Sequence, residues 1–328
     1  MATDEAINEA IDEAAGGSAG GSAGRGRLDD EWALHRPAVF GAAYRITGSV
    51  ADAEDIVQDT WLRAARAPLA DVRDLRAWLI TVAARRAYDV LGSARARRVD
   101  YVGPWLPEPL LTGPDAAEPV LVDDTLGTAM LLVMEELSPP ERVAFVLHRA
   151  FGVPYDRIAE TLGRTPAACR QLVSRAGRKV AAAPPPPGGP EGARVLAAFR
   201  AAYERRDEAA LLALLDPDAA YTTDGGGRVF AARKIILGAA RVATALLRTA
   251  VRNDFRAVPA EVNGGPGLLI HRGGRLAAVD TLEIADGRIV AYRRVLNPAK
   301  FGGPGLRDAA GRTGPARGVT TGGGASSP

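Results

Sequence analysis

Apolar residues recur every three to four positions along most of residues 28–183 of this chain, whereas several runs beyond residue 190 alternate apolar and polar side chains. The first period belongs to amphipathic helices and the second to half-buried strands. The clearest helical pattern lies between Pro154 and Lys179. Tyr155, Ile158, Ala159 and Leu162 form one stripe, Gly163 ends it, and Thr165-Pro166 opens the next helix as N-cap and first-turn proline. So short a turn predicts two crossed helices. On the second helix, Cys169, Leu172, Val173 and Ala176 face inward. The opposite face carries Arg170, Gln171, Ser174, Arg175 and Arg178, side chains suited to base edges and phosphates in a major groove. Ser138-Pro139-Pro140-Glu141 reads as the capping box of a supporting helix that continues through Val143, Phe145, Val146 and Leu147.

An earlier helical block spans 28–98. In Ser49 to Ala64, a capping box of Ser49 and Asp52 precedes a buried stripe of Ala53, Ile56, Val57, Thr60 and Trp61. Its exposed face carries Asp52, Asp55, Gln58 and Asp59, a set that phosphates repel and a basic protein surface attracts. A following helix turns Leu75, Trp78, Leu79 and Val82 inward and carries Arg85, Arg86, Arg95, Arg97 and Arg98, with Asp89 among them. Taken alone, this block is an ordinary amphipathic bundle.

Residues 99–124 are Pro- and Asp-rich, contain Asp100, Glu108, Asp115, Glu118, Asp123 and Asp124, and have no lysine or arginine. Such a segment is repelled by DNA and drawn to a basic channel, and its Trp105-Leu106 pair calls for a docking surface. A second helical block covers 125–183, and Pro184 to Pro190, PPPPGGP, is a stiff spacer. Residues 191–301 then read as an α+β domain with a curved antiparallel sheet, in which Ala285-Asp286-Gly287 is a hairpin turn. Residues 1–27, acidic and then Gly/Ser-rich, and residues 302–328, Gly-rich without periodicity, are expected to be flexible.

The 328 residues, 47% of them hydrophobic, suffice for two or three cores. A net charge of +2 says little by itself; the segregation of charge matters. The single cysteine, Cys169, excludes an internal disulfide framework and a multi-cysteine metal site. No apolar run reaches membrane-spanning length and the start is acidic, so the expected location is the cytoplasm, with no membrane partner.

Three segments together, DAEDIVQDTWLRA, AWLITVAARRAYDVL and SPPERVAFVLHRAFGVPYDRIAETLGRTPAACRQLVSRAGRKV, resemble regions two and four of the extracytoplasmic-function (ECF) bacterial sigma factors. The match runs from about Leu28 to Ala182. It implies two all-α domains, a region two bundle and a region four helix-turn-helix, that bind core RNA polymerase and promoter DNA without a cofactor. By that resemblance Asp52, Asp55, Gln58, Asp59 and Leu62 meet the β′ clamp helices, the β subunit being a second core contact. Arg85, Arg86, Asp89, Arg95, Arg97 and Arg98 lie on the helix for the minus-ten element, with Arg85 where many relatives have asparagine. Thr165, Arg170, Gln171, Ser174, Arg175 and Arg178 lie on the reader of the minus-thirty-five element.

The motifs Trp105-Leu106-Pro107-Glu108-Pro109, Asp224-Gly225-Gly226-Gly227-Arg228 and Asn297-Pro298-Ala299-Lys300-Phe301 resemble signatures of the subgroup with a fused SnoaL-like domain, often called SigJ-type. Ala299 stands where that subgroup usually has an acidic residue. The implied fold is a SnoaL/NTF2-like α+β cone with a pocket, and the implied role is regulation in cis through Trp105 to Pro109, Asp224 to Arg228, Asn297 and Pro298. An unidentified small molecule in the pocket is part of this expectation.

Two other readings stay open on the residues alone. A one-component regulator would sense a ligand and bind an operator through the helix-turn-helix, but has no use for the acidic helix. An isomerase or cyclase would draw on Tyr221, Asp224, His271 or Asp280. Spacing brings no two of these together, and Asp224 before three glycines reads most simply as a turn former. The chain is therefore expected not to be an enzyme.

Overall fold

The computed structural model describes residues 20–99, 101–113, 127–181, 190–251, 255–303 and 305–306, except the side chains at 20–25, 93–99 and 250–251. Helices α1 (Gly20–Thr47), α2 (Val50–Ala64) and α3 (Leu75–Val99) form the first unit. Helix α1 begins at Gly20, inside the segment expected to be flexible, because extending an existing helix costs far less than starting one. Near its start Arg27 is tied to Glu31 at 2.9 Å and to the Val72 carbonyl at 2.8 Å. Residues 1–19 lie outside the described residues.

Helices α4 (Thr128–Glu135), α5 (Pro139–Arg149), α6 (Tyr155–Leu162) and α7 (Pro166–Val180) form the second unit. Gly163 takes φ +61° at the end of α6, and the Thr165 hydroxyl accepts from Ala168 N–H at 3.2 Å to cap α7. The two helical units share one core: Phe40, Ile56 and Leu79 from the first belong to the same buried cluster as Val143, Leu147 and Leu172 from the second. Buried Arg142 reinforces the junction by donating to the Ile46 carbonyl at 2.9 Å and to Glu135 at 2.6 Å. Burial pushes its guanidinium pKa down to about 10. Phe151 adds an apolar contact beneath the guanidiniums of Arg45 and Arg76, 5.7 and 6.0 Å from its ring centre.

The third unit contains α8 (Pro190–Arg205), α9 (Glu208–Leu214), β1 (Leu215–Asp224), β2 (Ile236–Leu237), α10 (Ala239–Val251), β3 (Phe255–Val262), β4 (Gly265–Arg272), β5 (Arg275–Ala285) and β6 (Arg288–Val295). The strands lie in the order β2-β1-β6-β5-β4-β3, antiparallel except for the parallel pair β1 and β6. The expected antiparallel sheet is thus mixed, because β1 returns to β6 across the sheet and not through a hairpin. Register shifts within three strand pairs bend it. Phe199, Leu211, Val242 and Leu246 from the helices cover one face through Leu268, Leu282 and Tyr292. This is the SnoaL-like α+β cone.

Two boundaries differ from the sequence expectation. Pro190 opens α8 and is no part of the spacer, since a proline at the first helical position sacrifices no hydrogen bond. Past residue 301, Leu306 is fully buried with Val262, Leu269 and Val279 on the second face of the sheet, so this start of the Gly-rich tail is anchored by one apolar side chain. No helix among the described residues is long and apolar enough to cross a membrane.

Candidate functional site

On α2 the inward stripe leaves Asp55 and Gln58 exposed, Asp52 and Asp59 half-buried, and Leu62 44% exposed. Asp59 is engaged by Arg63 at 3.2 Å and by Arg86 of α3 at 3.1 Å. Arg86 thereby leans toward the acidic helix, the carboxylate on the adjacent helix being a near anion, and its side chain remains 44% exposed. Arg85 is half-buried and Asp89 exposed, whereas the side chains of Arg95, Arg97 and Arg98 lie outside the described residues.

The start of α2 is capped differently from the box read in the sequence. Ser49 accepts from Asp52 N–H at 3.1 Å, but Ser49 N–H itself donates to Thr47 at 3.3 Å. The missing carboxylate comes from the linker. Glu108 takes the Ser49 hydroxyl at 3.0 Å and the Val50 and Ala51 N–H groups at 2.8 and 3.2 Å. A carboxylate there satisfies unpaired helix donors and meets the positive end of the helix dipole. The Glu108 charge is thus consumed inside the molecule, contrary to the expectation that this part of the linker seeks a basic channel. Asp115, Glu118, Asp123 and Asp124 lie outside the described residues.

On α7, Thr165, Arg170, Gln171, Ser174, Arg175 and Arg178 are all exposed on one side. Arg170 rests 5.6 Å above the Tyr155 ring, Arg178 donates to Ser174 at 3.3 Å, and Arg175 meets Glu141 at 3.2 Å. These contacts orient the cationic face without burying it.

The three sequence motifs of the regulatory set converge on one buried cluster. Asp224, fully buried at the end of β1, accepts from the Tyr101 hydroxyl at 2.5 Å, Leu106 N–H at 2.9 Å and Lys300 at 2.7 Å. Its side chain therefore receives the linker and does not form a turn. Lys300 also donates to the Leu106 carbonyl, and its ammonium stands 4.4 Å from the Trp105 ring centre and 5.1 Å from that of Tyr101. Asn297 donates to the Tyr101 hydroxyl at 3.0 Å, while Asn297 and Leu296 N–H hold the Asp224 carbonyl. The phenol sits between donors and a carboxylate, and burial together with Asp224 pushes its pKa up.

Glycine lets the chains approach here. A Cβ at Gly226, where φ is +56°, would come within 2.9 Å of the Tyr101 hydroxyl and closer still to the Asn297 amide. Gly227 likewise packs against Val102. Leu106, Pro107 and Pro109 are buried, whereas Arg228 and Pro298 are exposed. Gly225 is buried in the turn where its carbonyl accepts from Arg228 N–H at 2.9 Å.

A second junction forms at the tip of the β3–β4 hairpin. Asn263, at φ +51° and 1% exposed, points its side chain away from its own hairpin. Its amide oxygen accepts from Leu110 N–H and from Tyr44 of α1, both at 3.0 Å, and its amide nitrogen donates to Thr128 of α4 at 3.0 Å. The linker continues as an extended segment beside the hairpin: Thr112 N–H donates to the Glu261 carbonyl at 3.1 Å, and Leu111 bridges Val262.

Sequence reasoning missed Tyr101, Lys300, Asn263 and Tyr44 as site residues. Lys300 lies inside the Asn297 to Phe301 motif, and an isolated lysine between apolar neighbours was its signal. Asn263-Gly264, a residue pair suited to a hairpin turn, is a signal that sequence reasoning did not use, and nothing local distinguishes an Asn that makes only a turn from one that also reaches three other segments.

Of the titratable candidates for catalysis, Tyr221 alone borders the cavity of about 1060 Å³ in the cone. Burial pushes its phenol up to about 12. Asp280 is clamped by Arg294 at 2.7 Å through both oxygens and also accepts from the Tyr292 hydroxyl. Burial opposes the Arg294 charge, yet Asp280 holds its pKa well above the ordinary value. His271 does not line the cavity. Among the described residues no group of three or more His, Cys, Asp or Glu side chains is placed to hold a metal.

Residues 32–97 match the family model described as Sigma-70 region 2, and residues 128–180 that described as Sigma-70, region 4. The chain is 37% identical over 296 residues to the ECF RNA polymerase sigma factor SigJ of Mycobacterium tuberculosis, covering 85% of this chain and 94% of that protein. It is 30% identical over 154 residues to the RNA polymerase sigma factor CarQ of Myxococcus xanthus, covering 46% of this chain and 86% of that protein. The crystal structure of the M. tuberculosis extracytoplasmic function sigma factor SigJ superposes with a TM-score of 0.70 at 34% identity, covering 84% of this chain and 99% of that one. The helical units thus carry the two sigma regions and the docked cone completes a known arrangement: this chain belongs to the extracytoplasmic-function sigma factors that direct promoter recognition by bacterial RNA polymerase, in the type with a C-terminal SnoaL-like domain.

Proposed function

We propose that the SnoaL-like domain regulates this sigma factor in cis by holding its linker in the interdomain crevice, and that the chain has no catalytic activity of its own. Sigma factors bind core RNA polymerase and promoter DNA. Here the core contact is assigned to Asp52, Asp55, Gln58, Asp59 and Leu62 on the β′ clamp, with the β subunit as a second surface. Promoter contacts are assigned to the α3 and α7 side chains described above. The location that follows from these partners is the cytoplasm.

The observation that carries the reading is the simultaneous use of one short segment by both ends of the molecule: Leu106 is held by Asp224 and Lys300, while Glu108, two residues on, caps the core-binding helix. The geometry of the two readers agrees. Elements named minus ten and minus thirty-five lie about 25 base pairs apart, roughly 85 Å of duplex at about 3.4 Å per base pair. Helix α3 is roughly 37 Å long at about 1.5 Å per residue, and α6 packs directly against it. This closed form cannot read both elements together. Opening requires the shared core and the linker contacts to separate.

In vitro transcription with purified core polymerase tests the proposal. Compared with the intact chain, D224A and a truncation from residue 184 should each change promoter-specific transcription. Unchanged activity for both, across several promoters, rejects regulation by the domain. In the truncated chain, D55K/D59K should lose core binding in pull-down while R170A should retain it and lose promoter selectivity.

A further inference from the structure

The cavity in the cone is lined by apolar and aromatic groups, including Tyr221, Phe255, Ile270 and Phe301, and its charged lining residues are all arginines: Arg241, Arg248, Arg272 and Arg294. No carboxylate lies among its described lining residues. Arg294 is neutralised by Asp280 deep in the fold. Arg241 and Arg248 differ: they are two turns apart on α10, on the same helix face as Thr244, Ala245 and Thr249, which also line the cavity. Both heads are exposed, and neither has an ion-pair partner among the described residues. Beside the mouth stands Phe230, 98% exposed.

From this arrangement we infer that the cavity binds an apolar acid, a hydrophobic body with one anionic head, whose tail enters the aromatic interior and whose head meets Arg241 and Arg248. An uncharged apolar body gains nothing from the two exposed guanidiniums, whereas a strongly polar anion loses its hydration against the apolar interior without recovering it there. A volume of about 1060 Å³ accommodates a medium-chain to long-chain or multi-ring acid.

The occupant would also lie against the strands that hold the linker, so the inference rests on regulation in cis for its consequence. Thr223 and Leu296 line the cavity, while their chain neighbours Asp224 and Asn297 face Tyr101 and Leu106. Alternation along extended backbone puts the two sets on opposite sides. Phe301 borders the cavity next to Lys300. A shift of these segments to admit a tail changes the hold on the linker.

The test uses the full chain and two readouts. First, anilinonaphthalene sulfonate, itself an apolar anion, is bound and then displaced by decanoate or by its uncharged methyl ester. Decanoate should displace the dye at a concentration at least tenfold lower than the ester, and R241A/R248A should abolish that preference while the thermal midpoint stays unchanged. Equal displacement by acid and ester, or preference surviving in R241A/R248A, overturns the site. Second, proteolytic cleavage within 101–113 is timed with and without saturating decanoate. A changed cleavage rate supports the link to the linker. Preferential binding with an unchanged rate rejects the pocket as the regulatory input while leaving the site standing. D224A transcription, which needs no ligand, separately decides whether the domain regulates at all.

Discussion

The Tyr44 hydroxyl lies 3.0 Å from the side-chain oxygen of Asn263, joining the first helix to a hairpin tip 219 residues further along the chain. Both groups are buried, and the same phenol lies 2.6 Å from the Glu108 carbonyl. One hairpin tip thus touches region two through Tyr44, the linker through Leu110 and region four through Thr128. Burial and Glu108 push the phenol pKa up, so it remains a donor at any working pH.

Replacing Asn263 by alanine should therefore loosen all three contacts together. Leu110 N–H then has no acceptor, at a cost of about 1–3 kcal/mol, while the Tyr44 hydroxyl keeps the Glu108 carbonyl. The expected results are a lowered thermal midpoint and faster amide exchange at Leu110, whose N–H donates to Asn263. Exchange at Leu110 that stays at the wild-type rate would remove Asn263 from the junction.

Asp224 and Lys300 form the second prediction, because both side chains are almost fully buried. Removing one partner strands the other charge, at about 3–5 kcal/mol. D224A and K300M should each destabilise the linker contact strongly, and the double variant should cost much less than the sum of the two. Additive losses in a double-mutant cycle by urea unfolding would mean that the pair is not coupled.

The Glu108 cap predicts a local effect. E108A removes the carboxylate from Val50 and Ala51 N–H and should cost about 1 kcal/mol, as lost helix caps do. Hydrogen exchange should speed up at those two amides and remain unaltered at the start of α7, which Thr165 caps. Protection that persists in the first turn of α2 argues against the linker as its cap.

Glu141 gives a pH dependence with a definite sign. Burial raises its pKa, but the Ser138 N–H and hydroxyl and the Lys179 ammonium outweigh this and bring it below 4.5. The folded state thus holds the charged form more firmly than the unfolded one. This stability is complete above the unfolded pKa and is lost as pH falls through the folded value. E141Q should destabilise region four by about 1 kcal/mol at neutral pH, with the difference from wild type shrinking below pH 4.5. A difference independent of pH would assign the effect to packing.

The helix-turn-helix was legible because its determinants are local. Gly163, Thr165-Pro166 and the Cys169, Leu172, Val173, Ala176 stripe act within a few residues of one another. The same holds for the hairpin at Asp286-Gly287, where two successive positive φ values suit that residue pair. The Ser49 cap was legible only in part, since Asp52 follows at the right spacing but the carboxylate that completes the cap comes from Glu108. Likewise Arg86 belongs to a basic stripe in the sequence, yet its nearest anion is Asp59 on the neighbouring helix.

By itself, then, the sequence determined the helices, their faces, the change from helical to alternating period and the motifs that mark the sigma regions, because these depend on side chains a few positions apart. Tertiary structure alone decided that the two helical units share a core, that Asp224 and Lys300 enclose Leu106, and that Asn263 meets Tyr44. Those contacts arise from buried polar groups finding partners far along the chain, and a buried donor is satisfied by whichever acceptor the packing brings near it, which no local pattern specifies.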